Sequence, residues 1–225
     1  MSKSLKLVIF DCDGTLVDSQ DMIVAAMHHT YRAHGLPMPS RESLLGIVGL
    51  SLPDAFAVLG DGRAGFPVAA LVARYRTEFH ALREGGKYLE PLYPGARDCL
   101  DALSARPDVL LSVATGKSRR GVAEVLGRHD LLDRFHTIQT ADDAPSKPHP
   151  GMVIAAMRAA AVEAADTVVV GDTAFDIEMA RAAGAAAIGV SWGYHRPAAL
   201  HGAGAHAVIE DFSALLPALE RMWTR

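Results

Sequence analysis

Cysteine is scarce in this chain: Cys12 and Cys99 are the only two among 225 residues, and they lie far apart. No CxxC pair and no Cys/His spacing accompanies them, which argues against a disulfide framework and a cysteine-built zinc centre. Two reduced thiols in a cytoplasmic protein is the expected state. Long apolar runs are missing at the N-terminus, where MSKSLKLVIFDCDGT reaches aspartate after four apolar residues. Neither a signal peptide nor a membrane span is expected there. Blocks of one charge sign are missing too. Twenty-two Lys and Arg against 26 Asp and Glu leave a formal net charge of −4, and the cations are scattered. That pattern points to no nucleic-acid and no membrane partner, while leaving room for a small anionic substrate held by local cations. Internal repeats and low-complexity segments are absent, although residues 155–187 are rich in alanine.

What is present is the composition of a soluble globular protein, half apolar and 21% charged, in a chain long enough to bury a core without staples. Lys6–Phe10 is a short apolar, β-branched run and reads as a buried strand. Similar runs recur at Val109–Ala114, Thr167–Val170 and Ala185–Val190, each followed by a polar or glycine turn. Helical patterns follow at Gly95–Ala105, Ser118–Leu126, Pro150–Ala161 and Phe175–Ala183, with Gly184 as a stop signal. Strands alternating with helices predict a Rossmann-like α/β core, a parallel sheet with helices on both faces. One stretch departs from that alternation. Between Ser19 and Glu90 no strand is apparent, and Val68, Leu71, Val72, Tyr75, Phe79 and Leu82 follow helical spacing. The expected organisation is a discontinuous core, residues 1–18 and 91–225, with a small all-helical domain at 19–90 inserted after the first strand.

In an open parallel sheet, ligands sit at the carboxyl ends of the strands. The first strand is followed by Asp11, Asp13, Gly14 and Thr15, and the second by Thr115, Gly116 and Lys117. Lys147 precedes the helix at Pro150, while Gly171, Asp172, Thr173 and Asp176 follow the strand ending at Val170. Carboxylates gathered at one edge stay ionised only beside a cation. Oxygen ligands of this kind select Mg²⁺, which also takes a substrate phosphate. Thr115, the amides near Gly116 and Lys147 are residue types that can surround phosphoryl oxygens. An aspartate nucleophile splits hydrolysis into two displacements. Each residue also has a plainer reading. Asp13-Gly14 could be a turn, Thr115 a helix cap (with Ser118 the better candidate), and Lys147 a loop lysine. Asp172 and Asp176 could simply favour a helix dipole. These plainer readings do not account for all the residues converging on one edge.

Taken together, Phe10–Ser19 (FDCDGTLVDS), Val113–Lys117 (VATGK), Ser146-Lys147-Pro148 and Val170–Thr173 (VGDT) with Asp176 resemble, in order, the four motifs of the haloacid dehalogenase superfamily. The resemblance covers nearly the whole chain. It implies Asp11 as nucleophile and metal ligand, passing the phosphoryl group through an aspartyl-phosphate. Asp13 would be the general acid and base, with its backbone carbonyl on the metal. Thr115, Gly116 and Lys147 would hold phosphate, Asp172 would bind Mg²⁺, and Asp176 would bind it directly or through water. The 19–90 block would be the family's cap. Asp13 argues against a haloacid dehalogenase proper, which lacks that second aspartate. A β-phosphoglucomutase-type mutase is the nearest rival. Leu52, Ile23 and Gly171 stand where such mutases carry a cap arginine, a cap histidine and an acidic residue, so a hydrolase is favoured. The cap and core look closest to phosphoglycolate phosphatases, acting on a small phosphorylated metabolite. A catalytically silent binding module on the same fold is the reading from another class. His149, Trp192, Tyr194 and His195 are expected to be loop or packing residues, and Arg74 and Arg83 solvated.

Overall fold

A computed structural model describes residues 4–223. Six strands form one parallel sheet in the order β3-β2-β1-β4-β5-β6. The strands are β1 (Lys6–Phe10), β2 (Val109–Thr115), β3 (Thr137–Thr140), β4 (Thr167–Gly171), β5 (Ala186–Val190) and β6 (Ala207–Ile209). The two edge strands, β3 and β6, extend the four-strand expectation on either side.

Side chains of β1 alternate between the two faces, as the twofold strand period requires. Val8 and Phe10 pack into a cluster with α5 (Ala96–Ser104), α6 (Arg119–Arg128) and α10 (Leu215–Trp223). Leu7 and Ile9 face the opposite way, toward α7 (Gly151–Ala160), α8 (Ala174–Ala182) and α9 (Pro197–Gly202). A strand covered on both faces has no room for polar alternation, which explains why β1 reads as LVIF after Lys6.

Residues between β1 and α5 contain helices only: α1 (Gln20–Ala33), α2 (Arg41–Leu45), α3 (Leu52–Gly60) and α4 (Val68–Glu84). They pack around a third apolar cluster that includes Met27, Tyr31, Phe56, Leu71 and Tyr75. Ser40 and Ser51 start α2 and α3 by accepting from the amides of Ser43 and Asp54. No helix among the described residues is long and apolar enough to cross a membrane.

The strand order reverses at β1, which lies between β2 and β4. Chains leaving the carboxyl ends of β1 and β4 therefore diverge to opposite sides and open a crevice. Phe10 is in register with Val113 and Val170, and the Asp11 amide donates to the Val170 carbonyl at 2.9 Å. Asp11, Thr115 and Asp172 thus each lie within two residues of that register position.

Candidate active site

Asp11 is 1% exposed, and neither of its carboxylate oxygens has a hydrogen-bond partner. The Lys147 ammonium reaches Asp11 Oδ1 at 2.9 Å, an ion pair without hydrogen-bond geometry. The same ammonium donates to Asp176 Oδ1 at 2.6 Å and is itself buried. One oxygen from each of Asp11, Asp172 and Asp176 falls within a 4.8 Å span, all three residues being buried. Lys147 pairs with two of the three carboxylates, Asp11 and Asp176. Burial, opposed by Lys147 and reinforced by Asp176 and Asp13, raises the Asp11 pKa to about 6. Burial and the charges of Asp176 and Asp11 push Asp172 well above the usual carboxylate range. For Lys147, burial disfavours the charge, but Asp11 and Asp176 overcome it and the pKa rises. Buried carboxylates whose charge Lys147 offsets only in part make an oxygen donor set that could hold a cation. These all-oxygen donors fit Mg²⁺.

The remaining groups are placed by local structure. Gly14 turns the chain after Asp13 with φ +86°, and a Cβ there would lie 2.3 Å from Asp172 Oδ2. Glycine is required on both counts. Thr15 Oγ1 donates to Asp172 Oδ1 at 2.9 Å, and the Tyr194 amide donates to Oδ2 at 2.8 Å. Thr173 caps α8 in a reciprocal box: its hydroxyl accepts the Asp176 amide, while Asp176 Oδ2 accepts the Thr173 amide at 3.0 Å. Asp176 is therefore both helix cap and partner of Lys147, so its plainer reading and its place in the acidic cluster hold together. Thr115 ends β2 fully buried, its hydroxyl accepting from the Lys117 amide at 3.3 Å. Ser118, not Thr115, caps α6, accepting from the Gly121 amide. Gly116 packs under the loop before α3, where a Cβ would sit 2.4 Å from the Gly49 carbonyl oxygen.

Asp13 is not one of the three clustered carboxylates, and it meets a cation that the motif reading left without a role. Lys117 Nζ lies 2.8 and 2.9 Å from the two Asp13 oxygens, and the Ser19 hydroxyl donates to Oδ1 at 2.7 Å. Lys117 also lies 3.6 Å from Glu90 and 5.0 Å from the Phe79 ring centre. Burial works against its charge, and Asp13 and Glu90 raise its pKa regardless.

Arg83 corrects the expectation of a solvated side chain. It is 4% exposed, chelates Glu90 at 2.7 and 2.9 Å, and pairs with Glu124 on α6. A charge chain Arg83–Glu90–Lys117–Asp13 thus links the end of α4 to the site. Sequence carried no signal for it, because Arg83 and Glu90 sit in ordinary polar surroundings. Arg74 is half-exposed and pairs with Glu78, as a surface residue does. His149 accepts from the Gly151 amide in its loop. Trp192 donates to the Thr15 carbonyl at 3.1 Å, and Tyr194 meets the Ser19 hydroxyl. His195 accepts from the Ala174 amide at Nδ1, which leaves Nε2 to donate to Gly46 at 3.1 Å. These three buttress the first-motif loop and the inserted helices.

Over Asp11 lies a cavity of about 250 Å³, lined on its core side by Asp11, Asp13 and Thr115. Its upper wall comes from the inserted helices and the loop at Gly49–Leu52.

A parallel sheet carrying this cluster at its reversal point, under a helical roof, defines a hydrolase of the haloacid dehalogenase type. The family description "Haloacid dehalogenase-like hydrolase" matches residues 8–190, and the chain belongs to that family. It is 36% identical over 216 residues to a Dickeya dadantii protein named "Probable phosphatase IndB", covering 94% of this chain and 92% of the other. It is 33% identical over 218 residues to a phosphoglycolate phosphatase of Agrobacterium fabrum, covering 95% and 91%. Among solved structures, a hydrolase from Pseudomonas syringae superposes with a TM-score of 0.84 at 25% identity, over 96% of this chain and 98% of that one. The chain is accordingly an enzyme of the phosphoric monoester hydrolase kind.

Proposed function

We propose that this enzyme hydrolyses a small phosphate monoester in a magnesium-dependent reaction through an aspartyl-phosphate on Asp11. The carrying observation is Asp11 itself: a buried carboxylate with both oxygens free of hydrogen bonds, beside Lys147 and facing the cavity. Asp11 and Asp172, with the Asp13 carbonyl, would hold Mg²⁺, and Asp176, whose oxygens already accept from Lys147 and Thr173, would contribute directly or through water. Bound there, the ion would neutralise the carboxylates and the developing phosphoryl charge.

The chain's own groups account for the remaining steps. Asp11 attacks phosphorus, while Thr115, the backbone at Gly116 and Lys147 take the equatorial oxygens. Asp13, two residues along, protonates the departing alcohol and then takes a proton from the water that cleaves the acyl phosphate. Lys117 and Ser19 orient its carboxylate meanwhile. Residues 19–90 act as a cap over a core made of residues 1–18 and 91–225, closing the site to water.

The hydrolase reading is favoured over a mutase because Ile23 and Leu52, at the positions where a mutase would carry a cap histidine and a cap arginine, line the cavity with apolar side chains. Gly171 adds to this, since a Cβ at that position would lie 2.3 Å from the Asp176 Cβ. Phosphoglycolate-like monoesters are the reference class, on the strength of the relatives' names. Asp11→Asn should abolish magnesium-dependent phosphate release from p-nitrophenyl phosphate in a folded protein. Activity within tenfold of wild type would remove Asp11 from the nucleophile's role, and absence of activity in the wild type would favour a silent binding module.

A further inference from the structure

The cavity above Asp11 is lopsided in its chemistry. Its floor is polar, with Asp11, Asp13, Thr115 and Lys117, but its roof is built from Ile23, Met27, Val48, Leu52, Tyr75 and Phe79. Among the described residues that the inserted helices contribute to this lining, Tyr75 bears the only uncharged hydroxyl. The charged groups at the rim are mostly engaged already. Arg83 is held by Glu90 and Glu124, and Arg120 by Glu124 at 2.7 Å, while the His80 ring lies between Glu84 and Arg120, 3.2 Å from each. Arg76 also lines the cavity and is exposed to solvent. A substrate alcohol entering beneath this roof loses water on the side facing the apolar wall, where Ile23, Val48, Leu52 and Phe79 offer no side-chain donor or acceptor in its place. Hydroxyls stranded there are penalised, whereas methylene and aromatic carbon is favoured.

We propose that this site selects phosphate monoesters whose alcohol carries an apolar body, aliphatic or aromatic, over polyhydroxylated ones of the same length. This rests on the phosphatase reading and extends it, since phosphoglycolate would leave most of the roof uncovered. Ile23, Val48 and Leu52 are its specificity-determining residues. They come from α1, the loop after α2 and the start of α3, and they meet only above the phosphate site.

The test compares primary alkyl phosphates, whose leaving groups are chemically alike, in the presence of magnesium. From ethyl through n-butyl to n-hexyl phosphate, kcat/KM should rise roughly two- to fourfold per methylene as carbon is buried. D-Ribitol 5-phosphate, matched in length to n-pentyl phosphate, should be at least about tenfold poorer, because its hydroxyls lose water without partners. A flat alkyl series, or ribitol 5-phosphate equal to or better than n-pentyl phosphate, would overturn the proposal while leaving the phosphatase reading intact. No phosphate release from any ester, p-nitrophenyl phosphate included, would overturn both. Val48→Thr places a hydroxyl in the roof at nearly unchanged shape. With folding verified by circular dichroism, it should narrow the n-pentyl to ribitol ratio at least about threefold. An unchanged ratio in the folded variant would refute the apolar roof as the source of selection.

Discussion

Asp11→Asn should do something besides stopping turnover: it should stabilise the metal-free protein. The fold raises the Asp11 pKa from an ordinary 3.8 to about 6, burial being the first cause and only partly offset by Lys147. A carboxyl with a raised folded-state pKa favours folding in its protonated form. Wild-type stability therefore falls as pH climbs from the unfolded value through about 6, and the loss is complete above that. The gap of about two pKa units corresponds to about 3 kcal/mol at pH 7.5. Asparagine is close in shape to the protonated acid and does not ionise, so the variant escapes the loss. For a chain of this size, that difference should appear as a melting temperature higher by about 6–12 °C. The assay is thermal unfolding of both proteins in excess chelator between pH 4 and 8. The gap should be widest above pH 7 and close as pH falls below about 4. Added magnesium should then raise the wild type and narrow the gap, because the ion stabilises the carboxylate-bearing fold by binding it. A variant no more stable than wild type at pH 7.5 in chelator would refute the account of Asp11 as a buried charge that Lys147 offsets only in part.

Two further outcomes follow from the site. Chelation should reduce phosphatase activity to background and Mg²⁺ should restore it, while Ca²⁺, with longer bonds and looser coordination, should not; full activity in excess chelator would sink the metal assignment of Asp11, Asp13 and Asp172. Leu52→Arg puts a cation into the roof at the start of α3, and should shift the ratio of kcat/KM toward a bisphosphate over a monophosphate of similar size by about 1–3 kcal/mol. A folded variant whose ratio does not move would mean that the Gly49–Leu52 loop does not meet the substrate.

Much of this protein is legible along the chain because its chemistry follows strand ends. A strand buried on both faces must be a continuous apolar run, so Lys6–Phe10, Val109–Ala114 and Thr167–Val170 announce themselves, each strand after the first running one residue further in the structure. The turn after each such run is where a parallel sheet presents ligands. Asp11, Asp13, Thr115 and Asp172 can be placed on one edge from that rule alone, and Lys147 joins them through the order of the motifs. The helical block after β1 is equally plain, since seventeen residues of α4 keep one apolar stripe. The edge strands are not legible. β6 has three residues and β3 has four, mostly half-buried, too short for any period to show.

Tertiary structure alone decided the electrostatics around Asp13. Arg83 looks like any helix-end arginine until the chain folds back through Glu90 and brings α6 beside it. Only then does Lys117 find Asp13 on one side and Glu90 on the other. The cavity's character was decided in the same way. Ile23, Val48 and Leu52 are apolar residues on three separate segments, and the sequence marks Ile23 and Leu52 only as standing where a mutase would carry polar cap residues. Whether such a residue packs inward or roofs a neighbouring site depends on how the helices are set against the sheet, and that is a property of packing at a distance. Local pattern encodes which face of an element is apolar, but not what that face will meet.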